Sequence, residues 1–212
     1  RKTLIKFDNV LNDQRHVIFS QRKDAMNSNQ IFEYSEDFLK EIVDNLIKLK
    51  SLKLSNPNNS EFDNKLKLIL GKDLEITEFN NLTSLNDKDL RNKIIKNFKD
   101  TREDRSKILG ENQSKEIEKR ILLQSIDLNW KSHIQYLEQL RQVIGLRSYG
   151  QRDPLVEYKK EAFELFSNLL EKLKLDYVTI LMNLKVVLES NQENENKQND
   201  ISKQISNNKK MG

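Results

Sequence analysis

From Phe163 onward the apolar residues fall at 163, 166, 170, 173, 177, 180, 184 and 187, in steps of three and four. Such a seam predicts a long helix of coiled-coil type. Its start is well marked. Asp153 can cap free N–H groups, Pro154 sits where a missing N–H costs nothing, and Glu157 suits the positive end of the helix dipole. Upstream, Leu122, Ile126, Trp130, Ile134, Leu137, Leu140 and Ile144 also recur every three or four residues. Two long helices joined by a short loop pack antiparallel and carry that loop at the end of a stiff rod.

The remaining chain reads as shorter helices. Residues 1 to about 27 form one, with Leu4, Phe7, Leu11 and Ile18 on a stripe that Gln14 interrupts. The pattern breaks at Asn27, Ser28 and Asn29. A helix over about 35 to 50 shows Phe38, Leu39, Ile42, Val43, Leu46 and Ile47, with Ser35 as its expected cap. Residues 55–60 are an Asn-rich loop, after which Ser60 opens a short helix that Gly71 stops. Leu82 to Leu85 reads as irregular. A further helix starts near Asp87 and carries Leu90, Ile94, Ile95 and Phe98, and the first rod helix begins after Gly110. From Ser190 onward there is almost no apolar content, and the expectation there is disorder.

Composition sharpens this into a fold class. Among 212 residues, 36% are hydrophobic, 33% charged and only 7% aromatic, with mean hydropathy −0.77. Five glycines and two prolines leave few helix breakers, and no β-type alternation with turn signals occurs. The expected class is all-α: a long scaffold helix, a small helical insertion, a long antiparallel two-helix hairpin and a disordered tail. The net charge of +4 and pI near 9.0 come from interspersed acids and bases, which read as solvated helix faces. With no cysteine there is no disulfide framework or thiolate metal site. No apolar run approaches the roughly 20 residues that span a bilayer. The chain opens on Arg1 rather than Met, so it is expected to be an excised segment of a longer protein.

Candidate chemistry is sparse. No two glycines bracket a lysine in the phosphate-loop spacing, so the segment alone is not expected to hydrolyse ATP. His16 and His133 are the only histidines and lack an i+4 ligand partner, which points to surface or hydrogen-bonded roles. The hairpin tip, Arg147, Ser148, Tyr149, Gly150, Gln151 and Arg152, is polar with one aromatic. It reads either as an ordinary turn whose Gly145 and Gly150 relieve backbone strain, or as a contact device in which tyrosine offers a flat apolar face and a hydroxyl. Trp130 reads as a core anchor between packed helices.

Three blocks of residues resemble the SecA family of bacterial protein-translocase motors. The first is Arg1-Lys2, Phe7-Asp8, Val10-Leu11, Asp13-Gln14-Arg15, Ile18 and Gln21-Arg22, similar to the opening of that family's long scaffold helix. The second is Leu123-Gln124, Asp127, Trp130-Lys131 and His133. The third, similar to its two-helix finger, is Leu140-Arg141, Ile144, Leu146-Arg147, Tyr149, Gln151, Asp153-Pro154 and Glu157-Tyr158. The blocks fall in the family's order. Val143 departs from it, standing where the family usually has glycine, and a β-branched residue stiffens the helix below the tip.

The resemblance implies a division into scaffold helix 1–27, helical wing 28–109, scaffold and finger 110–189, and linker 190–212. It implies that Arg147, Tyr149, Gln151 and Arg152 contact translocating polypeptide at the finger tip, and that Trp130, Arg15 and Asp13 couple scaffold to finger. Implied partners are the SecYEG channel, preproteins, the parent protein's own nucleotide-binding domains and a second copy in a homodimer, with no nucleic acid. The parent's motor domains would use ATP and Mg, and a zinc module would follow the linker, while the segment itself needs no cofactor. The implied place is the cytoplasm, against the inner face of the plasma membrane. The alternative reading is a helical coiled-coil adaptor or RNA-binding scaffold. Against it, the lysines form no single stripe and there are no aromatic platforms for bases.

Overall fold

The computed structural model describes residues 2–27, 29–71, 74–147 and 153–186. Among these residues the protein is all-α, with seven helices and no strand: α1 (Lys2–Asn27), α2 (Ile31–Ser55), α3 (Glu61–Leu70), α4 (Ile76–Ser84), α5 (Asp87–Leu109), α6 (Glu111–Ile144) and α7 (Pro154–Asn183).

Local chemistry explains most boundaries. Asn59 Oδ1 accepts from the Glu61 N–H at 2.9 Å and opens α3. Gly71, at φ +104°, closes it, a conformation that only glycine adopts without strain. A Cβ there would also come 3.0 Å from Asn183 Oδ1. The Asn183 amide donates to Ile69 O at 3.3 Å and to Thr179 O at 2.8 Å, so the last residue of α7 helps satisfy the end of α3. Asn86 caps α5 through the Asp89 N–H, and Gly110 at φ +86° separates α5 from α6. Asp153 accepts from the Leu155 N–H at 2.9 Å with Pro154 in the first turn, as expected.

Four expectations need correction. Ser35 does not cap α2, which begins at Ile31. It lies inside the helix, fully buried, with its hydroxyl oxygen 2.7 Å from both Ile31 O and the Glu118 carboxylate, which compete for its single proton. Leu82 is not irregular but buried in α4, whose end is held by Thr83 and Ser84 hydroxyls bonded to Asn80 O and Asn81 O. Gly145 relieves no strain, because its φ is −73° in the ordinary helical region. The α7 seam is also displaced. Phe163 is 70% exposed and Ile180 43%, while Tyr158, Ala162, Leu169, Leu173, Tyr177 and Leu181 are buried. A straight helix turns every 3.6 residues, and α7 packs on α1, α2, α3, α5 and α6 rather than on one partner, so its buried face steps mostly by four, with a gap of seven between Ala162 and Leu169.

The large core joins Ile18 and Ala25 of α1, apolar residues of α2, α3, α4 and α5, and Leu122, Ile126 and Trp130 of α6 to Leu173, Tyr177 and Leu181 of α7. A second, smaller core lies toward the hairpin end: Leu137, Leu140, Ile144, Tyr158 and Ala162, flanked by Phe7, Val10 and Leu11 of α1. The expected apolar stripe of α6 is buried at every position except Ile134, which is half-buried. No described helix is long and apolar enough to cross a membrane. The expected tail from Ser190 lies outside the described residues.

Candidate functional site

α6 and α7 form the antiparallel hairpin, and α1 lies along it as a third member. Three polar contacts fix how α1 runs. Asp8 pairs with Arg141 at 2.9 Å, Gln14 meets His133 at 2.6 Å, and Arg22 pairs with Asp127 at 2.9 Å. Numbers rise on α1 as they fall on α6, so the two helices are antiparallel from Asp8 to Arg22, over more than half of α1. All six residues belong to the sequence blocks that carry the family resemblance. Those blocks are far apart in the chain and meet side by side in the fold.

The middle contact is buried. Gln14 interrupts the apolar stripe of α1 because its amide serves both helices of the hairpin. Nε2 donates to Ala162 O on α7 at 3.0 Å, and Oε1 therefore faces His133 on α6. A carbonyl cannot donate, so the Ala162 contact fixes the amide orientation. His133 must then carry its proton on Nε2 and donate it to Gln14. Burial of the ring pushes the His133 pKa down to about 4, which keeps it neutral and in that tautomer near pH 7. Its ring lies between Trp130 and Phe166, at 5.5 and 5.7 Å.

Trp130 is 8% exposed and packs in the core that includes Ile18 and Ala25 of α1, so α1 does lie against the Trp130 helix. Of the other two residues assigned to coupling, Asp13 is exposed and Arg15 half-buried. Among the described residues neither forms an ion pair. Gln14, between them, is the residue that turns inward.

Toward the tip, Phe7 packs edge-on against Tyr158 at 4.7 Å, and burial of the Tyr158 hydroxyl raises its pKa. Arg147 reaches Glu161 of α7 at 2.6 Å. Leu146 is 85% exposed, which leaves a large apolar side chain in water two residues past the end of α6. Tyr149, Gln151 and Arg152 lie outside the described residues.

A second polar cluster was not legible in the sequence. Glu118 on α6 is fully buried and accepts from Arg102 at 2.9 and 3.0 Å, from Arg105 at 2.5 Å and from the Ser35 hydroxyl at 2.7 Å. Ser35 also shares a hydrogen bond with Tyr177 of α7 at 2.9 Å. Burial, then the neighbouring Glu118 charge, raises the Tyr177 pKa. Arg102 stacks over Phe32 and Phe98 and pairs with Glu36 of α2. One carboxylate thus joins α2, α5, α6 and, through Ser35, α7. The spacing of Arg102 with Arg105 and of Ser114 with Glu118 puts each pair on one helix face. That signal is too common to single them out.

Among the described residues no three His, Asp or Glu side chains come together to hold a metal ion. Both clusters supply buried, directional bonds between long helices.

Comparison with known proteins identifies the family. Residues 1–185 match the family profile of the SecA wing and scaffold domain. The chain is 66% identical over 189 residues to a protein translocase subunit SecA of Pelagibacter ubique, covering 89% of this chain and 22% of that protein. It is 38% identical over 191 residues to the corresponding subunit of Caulobacter vibrioides, covering 88% of this chain and 20% of that protein. The chain spans about a fifth of the length of these curated relatives. With that span and the profile match over most of its residues, the chain belongs to the SecA family, as its C-terminal wing and scaffold region.

Proposed function

We propose that this region is the mechanical part of an ATP-driven protein translocase subunit. In this reading α1 and α6 are scaffold (1–27 and the start of 110–189), residues 28–109 are a wing, and the α6–α7 hairpin is a finger that presses on polypeptide entering the SecYEG channel. ATP and Mg would act in nucleotide-binding domains elsewhere in the parent protein, and a zinc module would follow a linker at 190–212. The parent would work from the cytoplasmic side, peripherally bound at the membrane. Arg147, Tyr149, Gln151 and Arg152 would touch preprotein and channel, and Trp130, Arg15 and Asp13 would couple the scaffold to the finger.

The observation that carries this reading is the hairpin itself. It is long and splinted by α1, and α6 is followed by an exposed Leu146 with Arg147 beside it. A stiff rod transmits displacement along its axis, and an apolar side chain at its end contacts varied sequences without needing a specific partner. The translocase subunits named above support transport as the task. The test is a photo-crosslinking amino acid at Arg147 of the full-length protein, with His16 on the exposed face of α1 as control. During preprotein transport, residue 147 should crosslink to preprotein and channel, and residue 16 should not. Absence of both products at 147 in actively transporting membranes would sink the proposal.

A further inference from the structure

We infer that Gln14 and His133 are positioning residues that bind α1 and the α6–α7 hairpin into a single lever, so that the finger moves with the scaffold helix and does not slide along it. The inference rests on the translocase reading of the hairpin and adds which of its joints are fixed.

The argument begins with register. Two helices held only by apolar side chains can shift by a turn and repack at small cost, because an aliphatic contact has no direction. A buried hydrogen bond cannot. Moving α1 by one turn, about 5.4 Å, would strand the Gln14 amide, the His133 N–H and their shared geometry in an apolar layer. An unmet buried polar group is what such a slide must overcome at every step. The Asp8–Arg141 and Arg22–Asp127 pairs stand on either side of this bond and favour the same register. Both are partly exposed, so each can break and re-form in water. Only the middle contact is shut away from solvent.

Gln14 does more than pair two helices. Its amide takes His133 of α6 with one end and Ala162 of α7 with the other. The bond therefore sits across the hairpin at one level, some eleven residues before the end of α6, or about 16 Å from it at 1.5 Å per residue. Below that level α1, α6 and α7 form one body. Above it, the small core around Leu140, Ile144 and Tyr158 still keeps α1 alongside through Phe7 and Val10. Movement of the tip relative to the rest of the parent protein then has to enter at the ends of this three-helix body, not within it.

The test uses the full-length protein with spin labels at His16 of α1 and Tyr136 of α6, both exposed. The distance between them is measured by pulsed electron resonance in the nucleotide-free, ADP-bound and ATP-analogue-bound states. One narrow distribution in all three states is expected, broadening when Gln14→Leu or His133→Leu is added. A shift between nucleotide states approaching one helical turn in the otherwise unaltered protein would overturn the inference. Transport provides the second reading. Preprotein moved per ATP hydrolysed should fall several-fold in Gln14→Leu and in His133→Leu. It should be retained in His133→Gln, whose amide can donate from nearly the same point. Equal coupling in all three variants would show that the bond positions nothing. A failure of residue 147 to reach preprotein would count against the finger assignment, and the spin-label distances would still decide the lever.

Discussion

Gln14 and His133, 119 positions apart in the chain, share a buried 2.6 Å hydrogen bond that the rest of the interface is built around. It lies between two ion pairs and against a tryptophan, and the same Gln14 amide also donates to Ala162 O. Its energetics lead to the first expectation. Replacing Gln14 by Ala leaves the His133 N–H without its acceptor, and stability should fall by about 1–3 kcal/mol. Gln14→Leu, which refills the volume, should cost less. Urea unfolding of the two variants checks the order.

His133 makes that interface sensitive to acid. Its pKa is about 4 in the fold and near the ordinary 6.5 in the unfolded chain, so the unfolded chain binds the proton first as pH drops. The contribution of the neutral ring is fully present above about pH 6.5 and is lost progressively down to about pH 4, at a slope approaching about 1.4 kcal/mol per pH unit. Thermal melts between pH 7.5 and 4.5 should show the loss, and His133→Gln should flatten that part of the profile.

Glu118 should be the least replaceable polar residue among those described. It is fully buried and answers two arginines, so Glu118→Ala leaves their charges unmet and should cost about 3–5 kcal/mol. Glu118→Gln should also destabilise strongly, since the amide is neutral and cannot accept from all the present donors. A circular-dichroism melt that moves by only a degree or two for either variant would contradict this account.

Trp130→Ala removes a large side chain from the joint between α1 and α6 and should cost about 3–5 kcal/mol. Helix content at low temperature should survive while the melting temperature falls.

The tip is expected to matter for work rather than stability. Tyr149→Ala in the full-length protein should slow preprotein transport with the melting temperature unaltered, and Tyr149→Trp should retain more activity than Ala, since a flat apolar face does the gripping. Transport at the unaltered rate across several preproteins would make the tip an ordinary turn. Val143, half in water in the last turns of α6, adds a companion test. Val143→Gly should cost only a few tenths of a kcal/mol and change transport coupling more than stability.

Much of this was readable from the chain, because the signals that carried it are local. Gly71, Gly110 and the Asp153–Pro154 step end or begin helices through backbone geometry alone, and the α6 stripe predicts its own buried face. What misled were polar residues whose partners are remote. Ser35 looks like a cap because serines usually are, yet its acceptor is 83 positions away on Glu118. Gln14 looks like a flaw in a stripe, and its role depends on His133 and Ala162. The α7 seam was misplaced by about one residue because several neighbours, not one, choose its buried face. Asp13 and Arg15 share a block with Gln14, but helical rotation turns only the middle residue inward.

The amide of Asn183 ties the final residue of α7 to the carbonyl end of α3, and Gly71 leaves the room for it. Fraying of either terminus removes the partner of the other, so these two helix ends belong to one cooperative opening event even though the chain separates them by more than a hundred residues. Amide exchange at the close of α3 should therefore follow the close of α7 in rate, and not the neighbouring α4. A cut that parts the two segments would expose both ends together.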